Sequence, residues 1–142
     1  MHRRINPKAI IFREEDNEMM LTNFDAIRVE AAIGKTMTRT SANSEDSQFV
    51  APELQEGSGT NYKYKVDVYS VGMVMMYMAT AVQQYSAKPD ANWDAMEAFN
   101  GLSTCFANSK IYDMIVNALQ ADPNERTETS ALASNDVFEG RL

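Results

Sequence analysis

Val66 to Ala87 reads VDVYSVGMVMMYMATAVQQYSA, and after Asp67 it holds no charged side chain. From Val71 to Val82 it is apolar on nearly every helical face, and four of the ten methionines (Met73, Met75, Met76 and Met78) lie there. A helix that is apolar all round has to be covered on all sides. A membrane span does not fit. The apolar core is twelve residues long and Gly72, Thr80, Gln83 and Gln84 break or flank it, whereas a bilayer needs about 20 apolar residues. Residues 66–87 are therefore predicted to form a buried central helix. Asp67 falls near its N-terminus, where a carboxylate meets the positive end of the helix dipole.

The whole chain has the length of one domain, 142 residues, and an ordinary balance of 44% hydrophobic and 23% charged residues. Its net charge of −7 argues against nonspecific nucleic-acid binding, which needs a basic footprint. With Cys105 as the single cysteine, an internal disulfide is excluded and a reducing compartment fits. One His and one Cys leave no His/Cys metal site. The apolar run near the N-terminus, Ala9 to Phe12, is too short for a signal-peptide core. The expected location is cytoplasmic, with neither membrane nor nucleic acid as a partner.

Outward from the central helix the signals are local. Ala9–Phe12 and Met19–Thr22 are short apolar runs around a charged turn, predicting a β-hairpin that lies on the helical body. Residues 36–47 are rich in Ser and Thr and predict a long surface loop. Ala51-Pro52-Glu53-Leu54 opens a short helix, since proline is tolerated in a first turn. Asn92 is placed to cap a helix over 93–99, and Asn100-Gly101 to stop it. Ser109 is placed to cap a helix over 110–120, where Ile111, Met114, Ile115 and Leu119 form one apolar stripe. Asp122-Pro123 ends that helix, Thr127 or Thr129 begins a last one, and Val137-Phe138 anchors the tail. The fold class expected is mainly α, with one small N-terminal hairpin and a buried central helix.

The order of several motifs adds a resemblance. His2-Arg3-Arg4-Ile5-Asn6-Pro7-Lys8-Ala9 resembles the catalytic loop of protein kinases, His-Arg-Asp-Leu-Lys-Pro-x-Asn. Asn23-Phe24-Asp25 falls where that family has Asp-Phe-Gly, and Ala51-Pro52-Glu53 matches the Ala-Pro-Glu that closes its activation segment. Asp67 to Gly72 resembles the start of the family's central helix, and Asp122-Pro123 with Arg126 the element before its last helix. The chain thus looks like the C-terminal lobe of a protein kinase over residues 1–142, with a catalytic-loop remnant at 1–9, an activation segment at 23–53 and the central helix at 66–87. The resemblance implies structural roles for five residues. Glu53 would pair with Arg126, and Asp67 would brace the loop at His2 and Arg3.

The chemical positions depart from the family. Phosphoryl transfer needs a carboxylate near the substrate hydroxyl and oxygen ligands that hold magnesium against the phosphates. The base position is Arg4, which cannot accept a proton. The family's lysine is Asn6, its magnesium-binding Asn is Ala9, its magnesium-binding Asp is Asn23, and its flexible Gly is Asp25. No GxGxxG occurs in the chain, so any nucleotide would have half a cleft. The pattern resembles a pseudokinase: an inactive scaffold or regulatory module with no cofactor and a protein partner, such as a kinase or another signalling protein. ATP and magnesium would enter only if a parent chain carried an N-terminal lobe. The alternatives are a fragment of a divergent active Ser/Thr kinase and a relic without function. Thr36, Thr38, Thr40 and Ser41 are candidate phosphosites whose phosphate Arg3 would receive. In the family a long helix before the catalytic loop covers part of the central helix. Without it, an exposed apolar patch is expected.

Overall fold

The computed structural model describes residues 1–27, 47–55, 64–80 and 110–134. These residues are mostly helical, with a two-stranded antiparallel sheet. Single turns of 3-10 helix occur at Pro7–Ala9, Phe24–Ala26 and Ser47–Phe49. The strands are β1, Ile10–Arg13, and β2, Glu18–Leu21. The α-helices are α1, Pro52–Gln55; α2, Lys65–Thr80; α3, Lys110–Ala118; and α4, Thr129–Ala133.

The long helix α2 starts one residue before the predicted Val66, and residues 81–87 lie outside those described. It is buried on two sides by two clusters. Val66, Tyr69, Met73 and Met76 pack with Ile5, Phe49, Ala51, Ile115 and Leu119. On another face, Val68 packs with Met114, Ala118 and Leu132. Valine and tyrosine are only moderate helix formers, so burial holds this helix, each covered side chain contributing about 1.5–3 kcal/mol as an upper range. The buried Ser70 hydroxyl shares its proton between the Phe49 carbonyl at 2.7 Å and the Val66 carbonyl at 3.1 Å. That bond ties the Ser47–Phe49 turn to the helix.

The stripe read from α3 faces the same core. Met114, Ile115 and Leu119 are buried, and Ile111 is half-buried against the cluster. Close approach of α2 and α3 depends on Gly72. A Cβ built there would meet the Ala118 Cβ at 2.8 Å and Leu119 at 3.0 Å. The last helix begins at Thr129, with Glu128 in the N-cap position but no side-chain cap bond. The helix expected over 93–99, the cap at Ser109 and the tail at Val137-Phe138 lie outside the described residues.

The hairpin forms with its strands one residue nearer the tip on each side than the apolar runs suggest. A 3-10 turn takes Ala9, and Arg13 opposite Glu18 extends the ladder. Asn17 turns the chain with φ of 58°, a left-handed conformation that Asn tolerates better than most residues. Among the described residues, exposed apolar side chains gather on the hairpin more than along α2, since every residue of β2 is exposed while Met78 is the exposed large apolar side chain of α2.

Two substitutions test the packing. Gly72→Ala gains up to about 1 kcal/mol of helix propensity, but forcing a methyl into the α2–α3 contact costs about 1–3 kcal/mol. The expected result in urea denaturation is net destabilisation. Met78→Ala, at a side chain 67% exposed, should shift stability by less than about 0.5 kcal/mol.

Candidate functional site

The first nine residues form a tight loop fastened to α2. One Asp67 carboxylate oxygen accepts the His2 N–H at 2.7 Å and the other accepts the Arg3 N–H at 2.7 Å. Arg3 has φ of 69°. That left-handed step costs about 1–2 kcal/mol for a side chain with Cβ, and the two charge-assisted bonds offset it. His2 is 7% exposed, and its Nε2 lies 2.8 Å from the Thr22 carbonyl. A carbonyl only accepts, so Nε2 carries the proton. Nδ1 is then free to accept the Arg4 N–H at 3.3 Å. The His2 ring also meets Phe24 edge-on, with centroids 5.4 Å apart. Both ring nitrogens are thus occupied, Nε2 across to the loop at Thr22 and Nδ1 within its own loop.

Four positions read as chemically degenerate lie around this frame. Ala9 is fully buried. Asn6, 6% exposed, has its side-chain oxygen accepting the Ala9 N–H at 3.1 Å, which caps the Pro7–Ala9 turn. Asn23 has φ 62° and ψ 54°, again left-handed. Arg4 reaches across to Asp25, its Nη1 2.5 Å from Oδ2, with side chains 31% and 62% exposed. The Arg4 cation therefore faces the Asp25 carboxylate. Sequence reading missed both the Asn6 cap and this pair. Asn followed by Pro is a usable signal for the cap; nothing local signals a contact 21 positions apart.

The second cluster lies at the N-terminal end of α2. Arg126, whose side chain has no exposed surface, grips Glu53 with Nη1 to Oε1 at 2.6 Å and Nη2 to Oε2 at 2.8 Å. Its Nε donates to the Gln120 carbonyl at 2.7 Å, Nη1 to the Lys65 carbonyl at 3.1 Å and Nη2 to the Ala121 carbonyl at 3.2 Å. The guanidinium also lies 5.0 Å from the Tyr69 ring centroid, within cation–π range. Beside it, Lys65 pairs with Glu128 at 2.7 Å and donates to the Arg126 carbonyl, while Tyr64 donates its hydroxyl to Glu128. The structure thus brings Glu53 to Arg126, and Asp67 to the backbone of His2 and Arg3. Thr36, Thr38, Thr40 and Ser41 lie outside the described residues.

Among the described residues no group of three His, Cys, Asp or Glu is arranged to hold a metal. None of the described helices is long and apolar enough to cross a membrane.

With this geometry in place, comparison with known proteins is direct. The family described as protein kinase domain matches residues 1–138. The chain is 24% identical over 129 residues to serine/threonine-protein kinase D of Synechocystis, covering 89% of this chain and 25% of that protein. It is 26% identical over 144 aligned residues to a probable serine/threonine-protein kinase of Clostridium perfringens, covering 96% of this chain and 20% of that one. The chain belongs to the protein kinase domain family. It spans about a quarter or less of the length of these curated relatives.

Two substitutions measure the two ties separately. Arg126→Lys keeps the charge but cannot form the two-pronged bond to Glu53 or reach all three carbonyls, and leaves part of a buried network unpaired. It should cost about 1–3 kcal/mol in urea denaturation, the cost of leaving buried acceptors without a hydrogen bond. Asp67→Asn replaces one accepting oxygen with a donor facing a backbone N–H. It should cost about 1.5–3 kcal/mol and raise amide hydrogen exchange at residues 2–4.

Proposed function

We propose that this chain is the C-terminal-lobe part of a kinase-like domain that has lost phosphoryl transfer and acts as a protein-binding or regulatory module. The observation that carries this reading is the Arg4–Asp25 ion pair, 2.5 Å long, at the place where the family needs an accepting carboxylate. A guanidinium cannot take the hydroxyl proton, and its positive charge repels the metal ions that phosphoryl transfer requires.

Magnesium–nucleotide does not fit the residues present. Ala9 offers no side-chain oxygen, Asn23 offers a neutral amide in place of a hard anionic ligand, and Asp25 is paired with a cation. Groups with purely architectural contacts are all present: Asp67 under the loop, His2 between loops, and Arg126 on Glu53. Loss confined to the chemical positions supports a retained scaffold over a relic. The same contrast weighs against a divergent active Ser/Thr kinase, for which the names of the relatives speak.

The test is transfer of labelled phosphate from ATP to a generic Ser/Thr substrate. The expected result is no transfer by the natural sequence, alone or within a longer parent chain, at any magnesium concentration. Reverting Arg4→Asp alone places one carboxylate face to face with that of Asp25, so even in a longer chain activity should not return without Ala9→Asn, Asn23→Asp and Asp25→Gly together. Magnesium-dependent transfer by the natural sequence, abolished by a kinase inhibitor, contradicts the reading.

A further inference from the structure

Histidine is the side chain whose ordinary titration falls within the physiological pH range, and His2 is the single histidine of the chain. It lies buried in the joint between two loops. Its hydrogen bonds assign one protonation state. Nε2 faces the Thr22 carbonyl at 2.8 Å, which only accepts, so Nε2 carries a proton. Nδ1 faces the Arg4 backbone nitrogen at 3.3 Å, whose N–H donates, so Nδ1 carries none. The imidazole is therefore neutral in this arrangement. A second proton has one place to go, the Nδ1 lone pair, where it points at the Arg4 N–H.

Two donors facing each other have to separate. A cationic ring holds the Thr22 carbonyl more strongly through Nε2, so the displacement falls on Arg4. Three contacts carry it onward. Arg3, just before, has φ of 69°, a left-handed step that costs energy to keep. The Arg4 side chain is the one paired with Asp25, Nη1 to Oδ2 at 2.5 Å. Phe24, next to Asp25, lies edge-on against the same imidazole. Moving the Arg4 backbone thus loosens the contact between the loop at 2–4 and the turn Phe24–Ala26. The charges around the ring, among the described residues, pull both ways. The Asp67 carboxylate of α2, which accepts the His2 N–H, favours an imidazolium. Burial, the Arg3 and Arg4 guanidinium groups and the α-amino group of Met1 disfavour it, and Asp25 is paired with Arg4. Whatever their balance, a protonated Nδ1 cannot accept.

We propose that His2 is an acid-sensitive latch. A proton taken from solvent onto Nδ1 expels the Arg4 N–H and loosens the Arg4–Asp25 contact that fastens the loop at 2–4 to the turn at Phe24–Ala26. The latch acts whether or not phosphoryl transfer is lost, and its test reads no activity.

With a single histidine, the ring signals in an NMR spectrum of the full chain belong to His2 without further assignment. The experiment follows them, the Arg4 amide shift and hydrogen exchange at Arg4 from about pH 8 to about pH 5. Exchange is expressed relative to the free-peptide rate at each pH. The Arg4 amide signal should move together with the ring signal. One linked proton limits the response to about ten-fold per pH unit, and protection at Arg4 should fall by about ten-fold or more across the range. His2→Gln keeps a donor for Thr22 but does not titrate, and should flatten the profile. A short Ser-Gly extension before Met1 moves the α-amino group away from the ring and should leave the response unchanged. Protection at Arg4 that stays flat with pH in the natural sequence overturns the proposal, as does a ring signal that moves while the Arg4 amide does not. The same fall in His2→Gln, or its loss on extension, assigns the effect to another group and also overturns it.

Discussion

Arg126 places a full positive charge where its side chain has no contact with solvent. An isolated charge there is costly, and it is tolerated because five bonds and an aromatic face surround it. Those partners come from separate stretches of chain: Glu53 in α1, the Lys65 carbonyl and Tyr69 in α2, and the Gln120 and Ala121 carbonyls after α3. One side chain therefore fixes where three helices meet. A hydrophobic contact would leave their relative rotation free over a wider range; a planar fork with five donors does not.

Asp67, between Lys65 and Tyr69 on the same first turns of α2, acts in the opposite sense. Arg126 binds side chain and carbonyls from beyond the helix, whereas Asp67 projects from the helix to two backbone N–H groups of the loop at 2–4. On the proposed reading, neither tie involves a group that would touch a substrate, and this separation lets a scaffold persist when the chemical positions change. Arg4 and Asp25 compensate each other's charge at the mouth of the loop, while the left-handed steps at Arg3 and Asn23 keep the backbone path. On the proposed reading, the loops hold their shape for reasons unrelated to catalysis.

Much of this was legible in the sequence. A run with no charge from Val68 to Ala87 has few structural solutions, and the period of Ile111, Met114, Ile115 and Leu119 has one. Both elements formed within a residue or two of their expected bounds at the described ends. Motif order revealed the family, because five short patterns at consistent spacing constrain far more than any one of them. The Arg4–Asp25 contact was not legible, since it depends on how two loops cross rather than on any local pattern. The exposed face of the hairpin was also hidden. Ala9-Ile10-Ile11-Phe12 has no alternation, so pattern alone does not say which face is covered. The chemistry of a position can be read from its residue; its neighbours in space have to be seen.

On the proposed reading, the fold of the family is kept while its metal–nucleotide chemistry is lost. Equilibrium dialysis of labelled ATP against the chain, with magnesium and with a chelator in its place, tests this most directly. The same low retention is expected in both, because Arg4, Ala9 and Asn23 supply no anionic ligand for the metal. Saturable retention that appears only with magnesium, and that Asn23→Ala removes, would contradict it.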